Sequence, residues 1–199
     1  MLSKSSYRRG GLIFQQGLPI SGCYIVCQGA VKLVRRTRRG EKQILRILRP
    51  GDLIEVEALY EKSHSTYAKA LEGAQVAFIT QQDFKRLLEK YPALAQEVLN
   101  RLAQESLYFQ EECVKRAHRG IKERLSLLLE ELGVKFGTEG EHGLIIGLKL
   151  RKRELAELLG CSSVSLYKAL HDLEGRGIIS YEGRKIVIKD AESLHRIGE

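Results

Sequence analysis

Residues 155–170, LAELLGCSSVSLYKAL, set small hydroxyls, an aromatic ring and a lysine directly after a glycine. These groups donate and accept hydrogen bonds, and nothing beside them could break a covalent bond. Leu155, Ala156 and Leu159 give a first helix its apolar face, and Gly160 can take the left-handed conformation that ends it. Ser162 is placed to cap a second helix by accepting from a backbone N–H. In that helix Leu166, Ala169, Leu170 and Leu173 recur at helical spacing and form the buried stripe, which leaves Ser163, Val164, Tyr167, Lys168 and His171 facing outward.

Other chemistry is sparse. No paired carboxylates, phosphate-cradling loop, zinc spacing or nucleophile with an evident base occurs, so neither an enzyme nor a metal or cofactor site is expected. Cys23 and Cys27 lie four apart in a predicted strand. At about 3.3 Å per residue they stand roughly 13 Å apart, too far for one metal ion or one disulfide. Cys113 and Cys161 complete a set without disulfide-framework spacing, which suits a reducing compartment.

The elements that must position the 155–170 motif read as follows. IISYEGRKIVI after the second helix predicts two strands about a Glu182-Gly183 turn, giving a winged helix-turn-helix. Upstream, IKERLSLLLEELG (121–133) predicts a helix that Gly133 ends as a cap; FGTEGEHG reads as a loop and LIIGLKL as a strand. From Leu12 to Ile79 short apolar runs alternate with turn signals, with glycines at 17, 29, 40, 51 and 73, as in an antiparallel barrel or sandwich; Gly40 marks a hairpin. Helical spacing then runs from Asp83 to about Lys115, interrupted at Tyr91-Pro92. A helix over 92–118 spans on the order of 40 Å. Along it Ala95, Val98, Leu102, Ser106, Phe109 and Cys113 fall three or four apart, a seam suited to the same helix of a second copy.

The 199 residues are 43% hydrophobic and 29% charged, an ordinary balance for one or two globular domains. No apolar run reaches membrane-spanning length and the N-terminus lacks a signal core, so no membrane partner and a cytoplasmic location are expected. The net charge of +8 is uneven: about +10 falls in residues 1–50, about −2 in 51–119 and about zero in 120–199. The excess centres on the hairpin VRRTRRGEK, either a solvated run or a surface for flanking DNA or an acidic partner.

The stretches GLIFQQG, YIVCQGAVKLVRR and EKQILRILRPGDLI, the helix after Tyr91, and LRKRELAELLGCSSVSLYKALHDLEGRGIIS together resemble the bacterial Crp/Fnr family of transcription regulators over nearly the whole chain. The resemblance implies an α+β fold: an antiparallel β-roll of the cyclic-nucleotide-binding type over 1–90, a dimerisation helix over 91–118 and a DNA-binding winged helix-turn-helix over 119–199. It implies a homodimer that binds double-stranded DNA at near-palindromic sites and contacts RNA polymerase. The family's base-reading positions fall on Ser163, Val164 and Lys168, with Tyr167 beside them. Lys168 suits a guanine and Val164 a thymine methyl. Lys149, Arg151, Lys152 and Ser165 are expected on phosphates. In the roll, the Gly-Glu-Leu segment of cyclic-AMP binders falls on Glu55, Val56 and Glu57, and their Arg-Ser pair on His64 and Ser65. Residues 51–70 contain no arginine to hold a cyclic phosphate, so an effector pocket there is expected not to take cyclic AMP. The alternative is a small-ligand or redox sensor whose DNA binding is weak or vestigial.

Overall fold

Period-two alternation of apolar residues builds the N-terminal strands, and their inward faces meet. The computed structural model describes residues 2–199, with the side chains of Glu57 and Ala58 outside that description. The chain divides into two units, the first ending at Gln110 and the second spanning Glu111–Glu199.

In the first unit, β1 (Ser3–Tyr7), β2 (Leu12–Phe14), β3 (Gly22–Gln28), β4 (Val31–Arg36), β5 (Lys42–Leu48), β6 (Leu53–Ile54), β7 (Tyr67–Ala70) and β8 (Ala74–Thr80) form two antiparallel sheets, ordered β1-β8-β3-β6 and β2-β7-β4-β5. Phe14, Val26, Val31, Leu48, Ile54, Ala68, Ala70 and Val76, drawn from both sheets, make the core of the β-roll. Gly29 has φ 75°, and a Cβ there would collide with the Gly73 carbonyl, so this turn admits only glycine. β1 has no sequence signature because its residues Ser3 to Ser6 are exposed; backbone pairing to β8 and the packing of Tyr7 on the core hold it.

Helix α1 (Gln81–Lys90) starts where the Thr80 hydroxyl accepts from the Asp83 amide at 3.1 Å, and α2 (Pro92–His118) follows after Tyr91. The predicted seam needs one correction. Val98 is 7% exposed and packs with Cys23, Ile79 and Phe84 of its own unit, so it cannot meet a partner. Its neighbour Leu99 is 59% exposed, Leu102 38% and Phe109 40%, with Ser106 and Cys113 also exposed. Leu99, Leu102, Ser106, Phe109 and Cys113 are spaced alternately three and four, the heptad pattern of a helix pair.

The second unit contains α3 (Ile121–Phe136), β9 (Gly137–Gly140), β10 (Gly143–Ile146), α4 (Lys152–Leu159), α5 (Ser163–Gly175), β11 (Ile179–Glu182), β12 (Lys185–Ile188) and α6 (Ala191–Gly198), with sheet order β11-β12-β10-β9. Gly133 does not end α3, which continues to Phe136. A Cβ at Gly133 would stand 2.9 Å from Leu144 and 3.3 Å from Ile188, so this glycine serves close helix-to-sheet approach and not termination. The expected loop FGTEGEHG instead contains β9, which pairs with β10. Helix α6, which the sequence reading does not foresee, is capped by the Asp190 carboxylate accepting from the Ser193 amide, and it buries Leu194 completely.

Candidate nucleic-acid interface and effector region

The helix-turn-helix is built by three local devices. Gly160 takes φ 63° and ψ 44° and turns the chain out of α4. The Ser162 hydroxyl then accepts from the Ser165 amide at 3.1 Å and starts α5. At the start of α4 the Arg151 amide donates to the Glu154 carboxylate at 2.9 Å, which ties down a helix N-terminus. Leu155, Ala156 and Leu159 from α4 and Leu166, Ala169, Leu170 and Leu173 from α5 are buried, as their spacing requires.

With that stripe buried, α5 presents Ser163, Val164, Tyr167, Lys168 and His171 to solvent; Val164 is 66% and Tyr167 51% exposed. Arg151 and Lys149 are exposed nearby in the chain, before and at the start of α4. Two expected phosphate contacts have other engagements. The Ser165 hydroxyl lies 3.0 Å from that of Ser162, inside the cap. Lys152 is drawn over two rings, its Nζ 4.6 Å from the centre of Tyr167 and 5.7 Å from that of Tyr181. A cation over a ring gains roughly 0.5–2 kcal/mol, so Lys152 braces the base of α5 and the start of the wing. Burial, then Glu174 and Tyr167, push the Tyr181 phenol above its ordinary pKa.

Two arginines that the sequence reading passes over finish α4. Arg124 of α3 donates to the Leu159 carbonyl, and Arg116 of α2 donates to the Leu158 carbonyl at 3.5 Å. These are carbonyls that the last turn of a helix leaves without intrahelical donors. Burial and then the neighbouring Arg116 lower the pKa of Arg124. Burial raises the pKa of the Cys161 thiol, and Arg124 offsets part of that rise.

In the roll, the expected effector residues stand in different surroundings. Val56 packs towards the Cys23, Ile79 and Phe84 cluster, Ser65 is exposed, and the side chain of Glu57 lies outside the described residues. Glu55 and His64 do meet, in the interior. Both are 5% exposed; His64 Nδ1 lies 3.0 Å from Glu55 Oε2, and the Thr66 hydroxyl donates to Glu55 Oε1 at 3.2 Å. The imidazole also stacks on Phe14 at 4.4 Å between centroids. Glu55 has φ 64°, a left-handed backbone that a non-glycine residue adopts only when its surroundings hold it there. Its carbonyl accepts from the Cys23 thiol at 3.2 Å. This is the position where the resemblance puts the glycine of Gly-Glu-Leu, and His64 stands where it puts the arginine. At these two departures from the resemblance, the carboxylate at one position is paired by the imidazole at the other. Spacing could not reveal this, since only the fold brings residues nine apart face to face. No group of three or more metal-ligating side chains occurs among the described residues.

Comparison with known proteins agrees with this division. Residues 4–91 match the model of the cyclic nucleotide-binding domain, and residues 123–197 that of the Crp-like helix-turn-helix domain. The chain is 25% identical to the electron transport regulator A of Shewanella oneidensis, over 96% of this chain and 77% of that protein. It is 26% identical to a CRP-like cAMP-activated global transcriptional regulator of Mycobacterium tuberculosis, over 98% of this chain and 88% of that protein. Among solved structures, FixK2 from Bradyrhizobium japonicum superposes with a TM-score of 0.89 at 22% identity, covering 100% of this chain and 98% of its own. Its fold is the fold of this chain.

Proposed function

This chain belongs to the Crp/Fnr family of bacterial transcription regulators and is a DNA-binding regulator, not an enzyme, and from that premise we propose that it acts as a homodimer on near-palindromic promoter sites without control by cyclic AMP. Residues 1–90 sense, 91–118 pair two copies and 119–199 bind DNA in the cytoplasm, with RNA polymerase as the downstream partner. The observation that carries this reading is the capped helix α5, whose apolar stripe is filled from within while Ser163, Val164, Tyr167 and Lys168 remain exposed. A first-turn face of this kind fits the major groove.

Dimerisation is supported by the exposed heptad Leu99, Leu102, Ser106, Phe109 and Cys113 on a helix of 27 residues. Pairing two such helices removes this surface from water and sets two recognition helices to read half-sites about 34 Å apart. Independence from cyclic AMP is supported by Glu55, because a buried carboxylate bound to His64 repels a cyclic phosphate where an arginine is needed.

Selection of bound sequences from random DNA, with no ligand added and at two salt concentrations, tests the reading. A two-fold symmetric consensus that survives the higher salt is expected. Salt-sensitive, sequence-blind binding would favour the sensor with vestigial DNA binding, for which the near-zero charge of residues 120–199 speaks. Sedimentation of Leu102→Glu tests the dimer: the variant should run as a monomer, and one that stays dimeric would remove α2 as the seam.

A further inference from the structure

The strongest unassigned feature is a groove of about 510 Å³ on the first unit, lined by Leu12, Gln15, Gln16, Gly17, Arg36, Thr37, Arg38, Tyr67 and Lys69. It lies on the outer face of the β2-β7-β4-β5 sheet. Along β7, Ala68 and Ala70 point into the core, and the alternating Tyr67, itself buried, and half-buried Lys69 lie on the opposite face. It is thus distinct from the interior occupied by Glu55 and His64.

Its chemistry is one-sided. Arg36, Arg38 and Lys69 bring three cations to one groove, and no aspartate or glutamate lines it. Among the described residues none of the three pairs with a carboxylate. Lys69 instead sits 5.9 Å over the Tyr67 ring, and Glu41, the one acid of hairpin 35–42, accepts from the Thr37 hydroxyl at 3.4 Å. Cations gathered without counter-charges repel one another, and an anion that bridges them relieves the repulsion.

The groove is also held in shape. The Gln16 side-chain amide donates to the Arg36 carbonyl at 3.1 Å and accepts from the Arg36 amide at 2.8 Å, tying the loop after β2 to the end of β4. The same loop reaches inward, where the Gly17 amide donates to the His64 carbonyl at 2.8 Å and the His64 amide donates to the Leu18 carbonyl at 2.9 Å. A ligand on the outer face therefore bears on a loop that is hydrogen-bonded to the interior polar cluster.

We propose that this groove is an effector site for a small phosphorylated ligand of nucleotide size, carrying at least two negative charges. The volume lies in the range of small-molecule sites, roughly 300–1,000 Å³. Arginines 36 and 38 offer planar forks to phosphoryl oxygens, Lys69 a point charge, and Leu12 with Tyr67 an apolar floor. The proposal deepens the reading of residues 1–90 as the sensing part. It is tested on protein free of DNA, so that failure of the groove and failure of DNA recognition read out separately.

The experiment is calorimetric titration of the full chain with ATP, inorganic tripolyphosphate and adenosine, without divalent cations, at two salt concentrations. One ATP per chain is expected, with tripolyphosphate several-fold weaker and adenosine silent. Arg38→Gln and Lys69→Gln should each weaken ATP binding about tenfold or more, with thermal melting confirming that both variants fold. Arg39→Gln, on the same hairpin but outside the lining, should change it less than twofold. No saturable binding at millimolar ATP would overturn the proposal. So would an Arg39→Gln loss equal to that of Arg38→Gln, since binding would then follow bulk charge and not the groove.

Discussion

The interior of the roll and the outer face of α5 use polar residues in opposite ways. Glu55, His64 and Thr66 are buried and satisfy one another, stacked on Phe14 and fixed to a strained backbone. Ser163, Val164, Tyr167 and Lys168 stand on a rigid helix in solvent, and only Tyr167 is engaged, by Lys152. Polar groups that complete each other in the core specify structure, because removing one strands the other without water. Polar groups left exposed on a scaffold that packs without them are available to a partner. The contrast marks the first set as structural and is the ground on which recognition is proposed for the second.

The sharpest break would come from Glu55→Ala. It strands His64 and Thr66 in the core and should cost the roll about 3–5 kcal/mol, with no relief of the left-handed backbone because alanine keeps the Cβ. Denaturant unfolding reads this, while the selected half-site should stay the same. A variant as stable as the parent would show that the pair is not structural. On the other side, Lys168→Ala should leave stability within about 0.5 kcal/mol yet change discrimination among half-sites by about 1–3 kcal/mol, measured by competition binding. Arg151→Ala should weaken all sequences alike and lower the salt slope by about one. Loss of sequence preference in Arg151→Ala would blur the distinction between positioning and reading. Ser162→Ala, which removes the α5 cap, should cost about 1 kcal/mol of stability in the second unit.

The smallest effect concerns thiols. In the monomeric Leu102→Glu variant, whose seam is uncovered, Cys113 is exposed and Cys23 fully buried, so alkylation should begin at Cys113 and spare Cys23 until unfolding. Cys161 should lag behind Cys113. Its raised pKa leaves less thiolate at neutral pH than a free cysteine has, so its rate should climb as pH rises towards that pKa. Mass spectrometry of time points at two pH values checks the order; early labelling of Cys161 would mean that the turn opens.

Much of the second unit was legible in the sequence because its signals are local. Gly160, Ser162 and the leucines of α5 each act within one or two helical turns, and the structure places them as their spacing predicts. The failures have physical causes of the opposite kind. Gly133 looks like a cap, yet it lies within α3 because Leu144 and Ile188 leave no room for a side chain. β1 is polar and exists by pairing to β8. Val98 and Leu99 are adjacent and both apolar, and only the packing of α2 on Cys23, Ile79 and Phe84 decides which is buried. The guanidinium of Arg124 finds the end of α4 across 35 residues.

The sequence by itself determined the succession of strand-rich roll, long helix and C-terminal helical unit, the helix-turn-helix with its cap and outward face, and the absence of arginine from residues 51–70. These follow from periodicity and turn chemistry, which act between near neighbours. Tertiary structure alone decided that Glu55 and His64 answer each other inside the roll, that Leu99 and not Val98 continues the exposed stripe, and that Arg36, Arg38 and Lys69 share a groove. Pairing energies of buried charges and the close approach of surface cations depend on distances across the chain, and those distances exist only once the sheets have closed on their core.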